Sequence, residues 1–261
     1  MPYNVNLPFL PERTQKPRKT GMTMVMDKGI SLRQAEDLME TGADYIDFIK
    51  LGFGTSVISK NVKEKVKLYQ KNNIKVYVGG TLFEAFIIRD KFEDYIKFVN
   101  EMGLDSAEVS DGSITIEHEK KCEYINKLAK NYTVLSEVGS KEEGVIIHPA
   151  RWIKMMQNEL DAGSTKVIAE ARESGTVGIF HKNGSAHTLL INRIVNKIKL
   201  ENIIWETPQK SQQVYFLKLF GSDVNVGNIA VDDIIPLETL RIGLRGDTFF
   251  TFLPEKFKQT T

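Results

Sequence analysis

The chain has 261 residues, 41% of them hydrophobic and 26% charged, proportions that suit one large folded domain or two small ones and exclude a disordered or fibrous class. Lysine and arginine number 35 against 34 aspartates and glutamates, so no global field recruits nucleic acid or an anionic membrane, and any anion site must be local. A single cysteine, Cys122, excludes an internal disulfide or a cysteine-cluster metal centre, and no apolar run approaches the roughly 18 residues of a membrane helix or the core of a signal peptide, so cytoplasmic residence is the expectation.

Residues 1–20 are rich in proline and basic side chains and are expected to form an extended arm over a barrel domain of residues 21–261. The first strand is expected over Met22 to Met26, stopping at Asp27, with a capping box of Ser31 and Gln34 opening a helix. A second strand over Tyr45 to Ile49 ends at Lys50 and the turn Gly52-Phe53-Gly54-Thr55, before a lysine-rich helix from Val62 to Gln70. The third runs from Lys75 to Val78 into Gly79, Gly80 and Thr81, followed by a helix whose apolar face carries Phe92, Tyr95, Ile96 and Val99. The fourth, Ala107 to Val109, is flanked by Glu108, Ser110 and Asp111. The next helix places Cys122 with Ile125, Leu128 and Ala129 on one face, where a packing role is expected for the thiol.

The fifth strand, Tyr132 to Leu135, leads into Ser136, Glu137, Gly139 and Lys141. After a charged connection, Pro149 suits the first turn of a helix with Ile153, Met156 and Leu160 inward. The sixth strand buries Val167 and Ile168 and then delivers Glu170, Arg172 and Glu173. A helix over Leu189 to Ile198, a strand from Ile203 to Trp205 ending at Glu206, a helix with Val214, Leu217 and Leu219, a strand from Val224 to Val226, and a last helix with Pro236, Leu237, Leu240 and Leu244 complete the chain. Alternating strands and helices require parallel pairing, and eight such units in about 250 residues favour a single (β/α)8 TIM barrel over a doubly wound open sheet. The nucleotide fingerprints of the open sheet are also missing: Gly52 and Gly54 lack a third glycine, and no phosphate-loop spacing occurs.

In such a barrel the reactive groups project from the carboxyl ends of the strands. Here those ends are Asp27, Lys50, Glu108, Glu137, Glu170, Glu206 and Asn225. A single charge at a strand end is ordinarily just solvated, but Glu137, Glu170 and Glu206 end neighbouring strands and are expected to converge. Carboxylates crowded into a partly desolvated mouth repel, and a divalent cation relieves them. An oxygen-only ligand set suits Mg2+ better than zinc, and His118, His148, His181 and His187 are scattered. Lys50, Lys141, Arg172, Arg241 and Arg245 supply the opposite sign, pointing to a small polyanionic substrate. The turn from Asn225 to Ile229 offers backbone amides for phosphate; Arg241 and Arg245 serve either that anion or the carboxyl end of the last helix.

Taken in order, these motifs resemble the phosphosulfolactate synthase family over nearly the whole chain. The resemblance rests on Lys16-Pro17-Arg18 with Gly21, Thr23 and Asp27; Asp47 to Thr55; Gly79-Gly80-Thr81-Leu82-Phe83-Glu84; Glu108 to Gly112; Glu137-Val138-Gly139; Glu170 to Gly175; Glu206 with Pro208 and Gln213; and Asn225 to Ile229 followed by Leu240 to Thr248. Two positions depart from the family pattern: Ser140 replaces the first of two lysines, with Lys141 keeping the second, and Phe53 stands for the aromatic of the Gly-Trp-Gly-Thr turn.

The resemblance implies a magnesium-dependent carbon-sulfur lyase acting in the synthase direction, joining sulfite to phosphoenolpyruvate on a (β/α)8 barrel. It implies magnesium held by some of Glu137, Glu170 and Glu206, with Glu170 central, and Lys50 and Arg172 neutralising the remaining charge. Lys141 is the first candidate proton donor and Lys50 the second. Asn225, Asn228 and Arg245, with Arg18 and Arg241, are the candidate substrate ligands. A homo-oligomer, a trimer in the family pattern, and a product destined for coenzyme M or for sulfolactate are further expectations. The alternatives are another phosphorylated-acid or sugar-phosphate lyase or aldolase on the same barrel, and a non-catalytic stress-related relative.

Overall fold

Short strands whose residues are buried at successive positions are buried on both faces, which in a parallel sheet means helices outside and a filled interior within. The computed structural model describes residues 3–139 and 148–257, and among them eight strands do this: β1 (Thr23–Asp27), β2 (Phe48–Leu51), β3 (Lys75–Val78), β4 (Ser106–Val109), β5 (Thr133–Val138), β6 (Lys166–Ala169), β7 (Ile203–Glu206) and β8 (Val226–Ala230). The helices are α1 (Leu32–Gly42), α2 (Val62–Lys71), α3 (Gly80–Ile87), α4 (Phe92–Met102), α5 (His118–Leu128), α6 (Pro149–Asp161), α7 (Thr188–Val195), α8 (Lys210–Phe220) and α9 (Ile234–Arg241).

The sheet runs β3-β2-β1-β8-β7-β6-β5-β4, all neighbours parallel. Because β1 pairs with both β2 and β8, the first and last strands meet, and the expected (β/α)8 barrel is the observed fold. Its seam lies between β3 and β4, where side chains replace the ladder: Asp105 accepts from the Val76 N–H at 2.9 Å, and Glu108 from the Gly80 N–H at 2.5 Å.

Ser31 and Gln34 form the expected capping box of α1, and Pro149 occupies the first turn of α6. Where one helix was expected after β3 there are two, α3 and α4, separated by a turn in which Asp90 adopts φ +54°. Cys122 is only half-buried on α5, whereas the neighbouring Lys121 is fully buried.

Two apolar layers hold the barrel. The larger lies between sheet and helices; in it Trp205 stacks on Phe216 at 4.8 Å and on Phe220 at 5.8 Å. The smaller fills the barrel interior with Met24, Phe48, Tyr77, Leu135, Ile168 and Ile204. This inner plug closes the barrel below the mouth and keeps water from the polar residues above it.

Basic side chains of the N-terminal segment pin it under the amino ends of the strands. Lys16 donates to the carbonyls of Ala43 and Asn72, the C-caps of α1 and α2, at 2.8 and 3.2 Å. Both contacts place a cation at the negative end of a helix. Arg13 pairs with Asp223 and, at 2.6 Å, with Glu238.

Candidate active site

Side chains on one face of a strand recur every second residue, and this period builds the site directly above the inner plug. Counting two residues on from Phe48, Leu135, Ile168 and Ile204 gives Lys50, Glu137, Glu170 and Glu206, all buried. Ser106 on β4 is followed in the same way by Glu108. Lys50, Glu137 and Glu206 were expected just past their strands; instead they lie within them, as Glu108 does in β4. A charged residue mid-strand normally argues against the strand, but here the inward face at the barrel mouth is the polar one.

These residues line a cavity of about 380 Å³ together with Met26, Gly79 to Thr81, Arg172 and Asn228. At its floor the Lys50 ammonium lies 3.1 Å from Glu108, 3.4 Å from Glu137 and 3.4 Å from Glu206. Burial alone would pull its pKa down, but Glu108, Glu206 and Glu137 outweigh that and hold it well above the ordinary lysine value. Lys50 is therefore a permanent cation. Tyr77, buried beside it, is pushed up by burial and by the Glu108 charge, and stays a neutral phenol.

Glu137, Glu170 and Glu206 each present a carboxylate oxygen within 4.8 Å of the others, and all are buried. Backbone donors fix two of them: the Arg172 N–H reaches Glu170 Oε1 at 2.7 Å and the Ala171 N–H reaches Glu206 Oε2 at 2.8 Å. Octahedral magnesium at about 2.0–2.1 Å holds its ligand oxygens roughly 3–4 Å apart, so small side-chain rotations bring the three onto one ion. The donors are oxygens only, and their negative charge exceeds what Lys50 neutralises. These residues fit a hard divalent cation.

The loop after β6 shapes the other side of the mouth. Arg172 adopts φ +56°, unusual for a side chain with a Cβ, and stands exposed at the rim. Glu173 pairs with Lys28 across the opening, and Lys28 also lies 6.0 Å from the centre of the Phe53 ring. Asn228 reaches the cavity through a register shift between β1 and β8, where it takes φ +56°.

The structure thus brings together Lys50, Glu137, Glu170, Glu206, Arg172 and Asn228. It separates others from them. Asn225 precedes β8 rather than ending it, since the strand starts at Val226 instead of Val224, and its side chain binds the Met22 N–H and the carbonyls of Glu201 and Ile203. Arg241 is fully buried against the carbonyls of Ser222, Val224 and Met22. Arg18 is spent on Asp47 and on the carbonyls of Asp44 and Thr14.

All three sit at the amino ends of the strands, where their hydrogen bonds tie the fold together. Arg245 lies half-buried in the turn after α9, outside the residues that line the cavity. Lys141 and Ser140 lie outside the described residues. Asp27, another strand end, serves as a buried anchor for Lys65 at 2.6 Å and Tyr69 at 3.0 Å.

The sequence reading assigned no role to Glu84 and Ser110, which stand directly behind Glu137, although both fall within the motifs. Lys121 was missed as well: it donates to the Glu137 carbonyl at 2.6 Å and pairs with Asp111 and Glu159, both at 2.8 Å. The signal that could have found it is helical spacing: Lys121, unlike Lys120, lies four and seven residues before Ile125 and Leu128, on the buried face of α5.

Comparison with known proteins supplies the rest. A family model described as (2R)-phospho-3-sulfolactate synthase (ComA) matches residues 11–247. A phosphosulfolactate synthase of Methanothermobacter thermautotrophicus is 44% identical over 244 residues, 91% of this chain and 95% of its own. One from Bacillus subtilis is 38% identical, covering 92% of this chain and 97% of its own. Among solved structures, the YdjI aldolase of Escherichia coli superposes with a TM-score of 0.56 over 82% of this chain and 76% of its own, at 10% identity, a likeness of fold alone. On the length and level of these matches, the chain belongs to the phosphosulfolactate synthase family.

Proposed function

We propose that the protein catalyses the magnesium-dependent addition of sulfite to phosphoenolpyruvate, giving (2R)-phospho-3-sulfolactate. The observation that carries this reading is family membership at 38–44% identity over about nine-tenths of the chain. The site suits the chemistry: a small, closed-bottomed cavity holds clustered carboxylates, an internal cation and an arginine at its rim.

In this reaction the sulfur lone pair of sulfite forms a bond to C3 of phosphoenolpyruvate. The C2–C3 π electrons move to C2 and into the substrate carboxylate, and a proton is then delivered to C2. Glu137, Glu170 and Glu206 are the residues that would hold magnesium, which would supply Lewis-acid stabilisation of the negative charge developing on the substrate carboxylate.

The chain's own residues do the remainder. Lys50, held charged, sets a fixed positive potential beneath the carboxylates and needs no reorganisation as charge develops above it. Because its pKa is raised, it is a poor proton donor, which leaves Lys141 the better candidate acid. Arg172 has the planar fork that pairs with phosphate or carboxylate through two hydrogen bonds. Asn228, at the register shift within β8, offers an amide to the same anion; barrels commonly seat phosphate near the seventh and eighth strands. The inner apolar plug excludes water from below. Residence in the cytoplasm and assembly into a homo-oligomer belong to the same reading; among the described residues no helix is long and apolar enough to cross a membrane.

The test is direct. Purified protein with phosphoenolpyruvate, sulfite and magnesium should yield phosphosulfolactate by phosphorus NMR, and should not when sulfite is omitted. Folded protein that forms no product at any substrate concentration would overturn the assignment.

A further inference from the structure

Glu84 of α3 is a buried carboxylate that the proposed reaction leaves unused. It is 2% exposed and accepts hydrogen bonds from the backbone N–H groups of Gly112 and Ser113, at 3.2 and 2.8 Å, and from the Ser110 hydroxyl at 2.6 Å. That same hydroxyl also donates to Glu137 Oε1 at 3.0 Å, its single hydrogen shared between the two carboxylates. Ser110 follows β4 directly and is itself fully buried. The serine therefore bridges a carboxylate locked by two backbone amides to a carboxylate that faces the cavity.

A buried glutamate with several free side-chain torsions loses rotamer freedom when it is held for a ligand, and that loss weakens binding unless the scaffold has already imposed it. Glu137 is held from more than one direction. Lys121 takes its backbone carbonyl from behind, the Lys50 ammonium lies 3.4 Å from Oε2, and Ser110 meets Oε1. The contact with Ser110 constrains the carboxylate oxygen that Lys50 leaves aside. Ser110 in turn has its position set by Glu84, since the short 2.6 Å bond directs its oxygen.

The packing adds a further constraint: a Cβ at Gly80 would overlap Ser110 Cβ, so the start of α3 sits hard against the serine and leaves it little room to move.

We propose that Ser110 and Glu84 are positioning residues: Glu84 fixes the Ser110 hydroxyl, and Ser110 fixes the Glu137 carboxylate in the orientation that binds the divalent cation. This rests on the reading of Glu137 as a magnesium ligand given above. Outer-shell partners of this kind typically change metal affinity by about 10–100-fold. Ser110→Ala should weaken Mg2+ binding, measured by calorimetry on the whole protein without substrate, by a factor in that range. Glu84→Ala should act in the same direction, because it removes the acceptor that sets the position of the Ser110 oxygen.

The double variant separates coupling from general loosening. If the two residues act as one unit, its loss equals that of the larger single variant; independent structural damage would add. Electron paramagnetic resonance of bound Mn2+ gives a second readout, and a broadened spectrum in Ser110→Ala is expected as Glu137 loses its fixed position. Wild-type protein that binds Mg2+ beside an unchanged Ser110→Ala, or additive losses in the double variant, would overturn the positioning role alone. Wild-type protein that binds no Mg2+ would overturn the metal reading and this inference together.

Discussion

Replacing Lys50 by methionine isolates the central electrostatic feature of the barrel mouth. The ammonium lies 3.1, 3.4 and 3.4 Å from three buried carboxylates. At an effective dielectric of about 20 each contact is worth roughly 5 kcal/mol of gross attraction, most of which offsets the burial of the four charges. Removing one partner of such a set leaves the others without compensation and costs about 3–5 kcal/mol net.

Methionine keeps the stem, so the loss is one of charge. The pH dependence has a definite sign. In the wild type the raised Lys50 pKa gives stability that is fully present below the ordinary lysine value and is lost only as pH rises through the folded one, so it is constant across the neutral range. In Lys50→Met the crowded carboxylates are expected to hold a proton more tightly when folded than when unfolded, so stability falls as pH rises above about 4.3. Urea unfolding at pH 5.5 and pH 8 should show a deficit of about 3–5 kcal/mol at the higher pH and a smaller one at the lower. Equal midpoints for variant and wild type at both pH values would refute the account of Lys50 as the neutralising charge.

Glu170→Gln keeps the shape of the side chain and its contact with the Arg172 N–H while removing a charge, so synthase activity should fall by at least about 100-fold with little change in unfolding midpoint; an unchanged rate removes Glu170 from the site. A Cβ at Gly178, where φ is +63°, would overlap the Glu170 carbonyl oxygen, whereas at Gly103, with φ +70°, it would meet nothing within 4 Å. Gly103→Ala should therefore cost only the left-handed backbone term, about 1–2 kcal/mol, and Gly178→Ala a further 1–3 kcal/mol or so from overpacking, together with weakened Mg2+ binding; equal losses in calorimetry would contradict this geometry.

His118 lies 3.8 Å from Glu159, an ion pair only if the imidazole is protonated, but burial and then the Lys121 charge hold its pKa down, and Lys121 already claims Glu159 at 2.8 Å. The unfolded chain then binds the proton more readily, so this group's contribution to stability is present above pH 6.5 and is lost as pH falls through the depressed value. His118→Gln should flatten the decline of thermal midpoint between pH 7 and pH 5; an unchanged slope counts against burial as the cause.

Much of the architecture was legible from local pattern. Short apolar runs such as Val76 to Val78 and Ile203 to Trp205, separated by amphipathic segments, require parallel crossovers, and the barrel followed from their number. The glutamates at 137, 170 and 206 were legible because they follow such runs at neighbouring positions in the strand order. Strand ends were less legible. Lys50, Glu137 and Glu206 were expected just outside the strands, because charge inside a buried strand is unfavourable unless a counter-charge meets it, and that counter-charge comes from strands distant in sequence. Asn225 was expected at the mouth for a related reason: a strand placed two residues too early puts an amino-end residue at the carboxyl end.

Two structural facts about the site were decided by residues far apart in the chain. Arg18 and Arg241 look like anion ligands in sequence, yet Arg18 is held by carbonyls and Asp47, and the terminal nitrogens of Arg241 by carbonyls, beneath the barrel. Lys121 and Glu84 are charged side chains of a kind that is ordinarily solvated, yet each is buried behind Glu137.

By itself the sequence determined the strands, most of the helices, their parallel order and the residue types that face inward, because period-two and period-3.6 patterns are local properties of the chain. Only the tertiary structure decided which charges share a cavity and which are spent on the scaffold, because the energy of a buried charge depends on partners that closure of the barrel brings within about 3 Å.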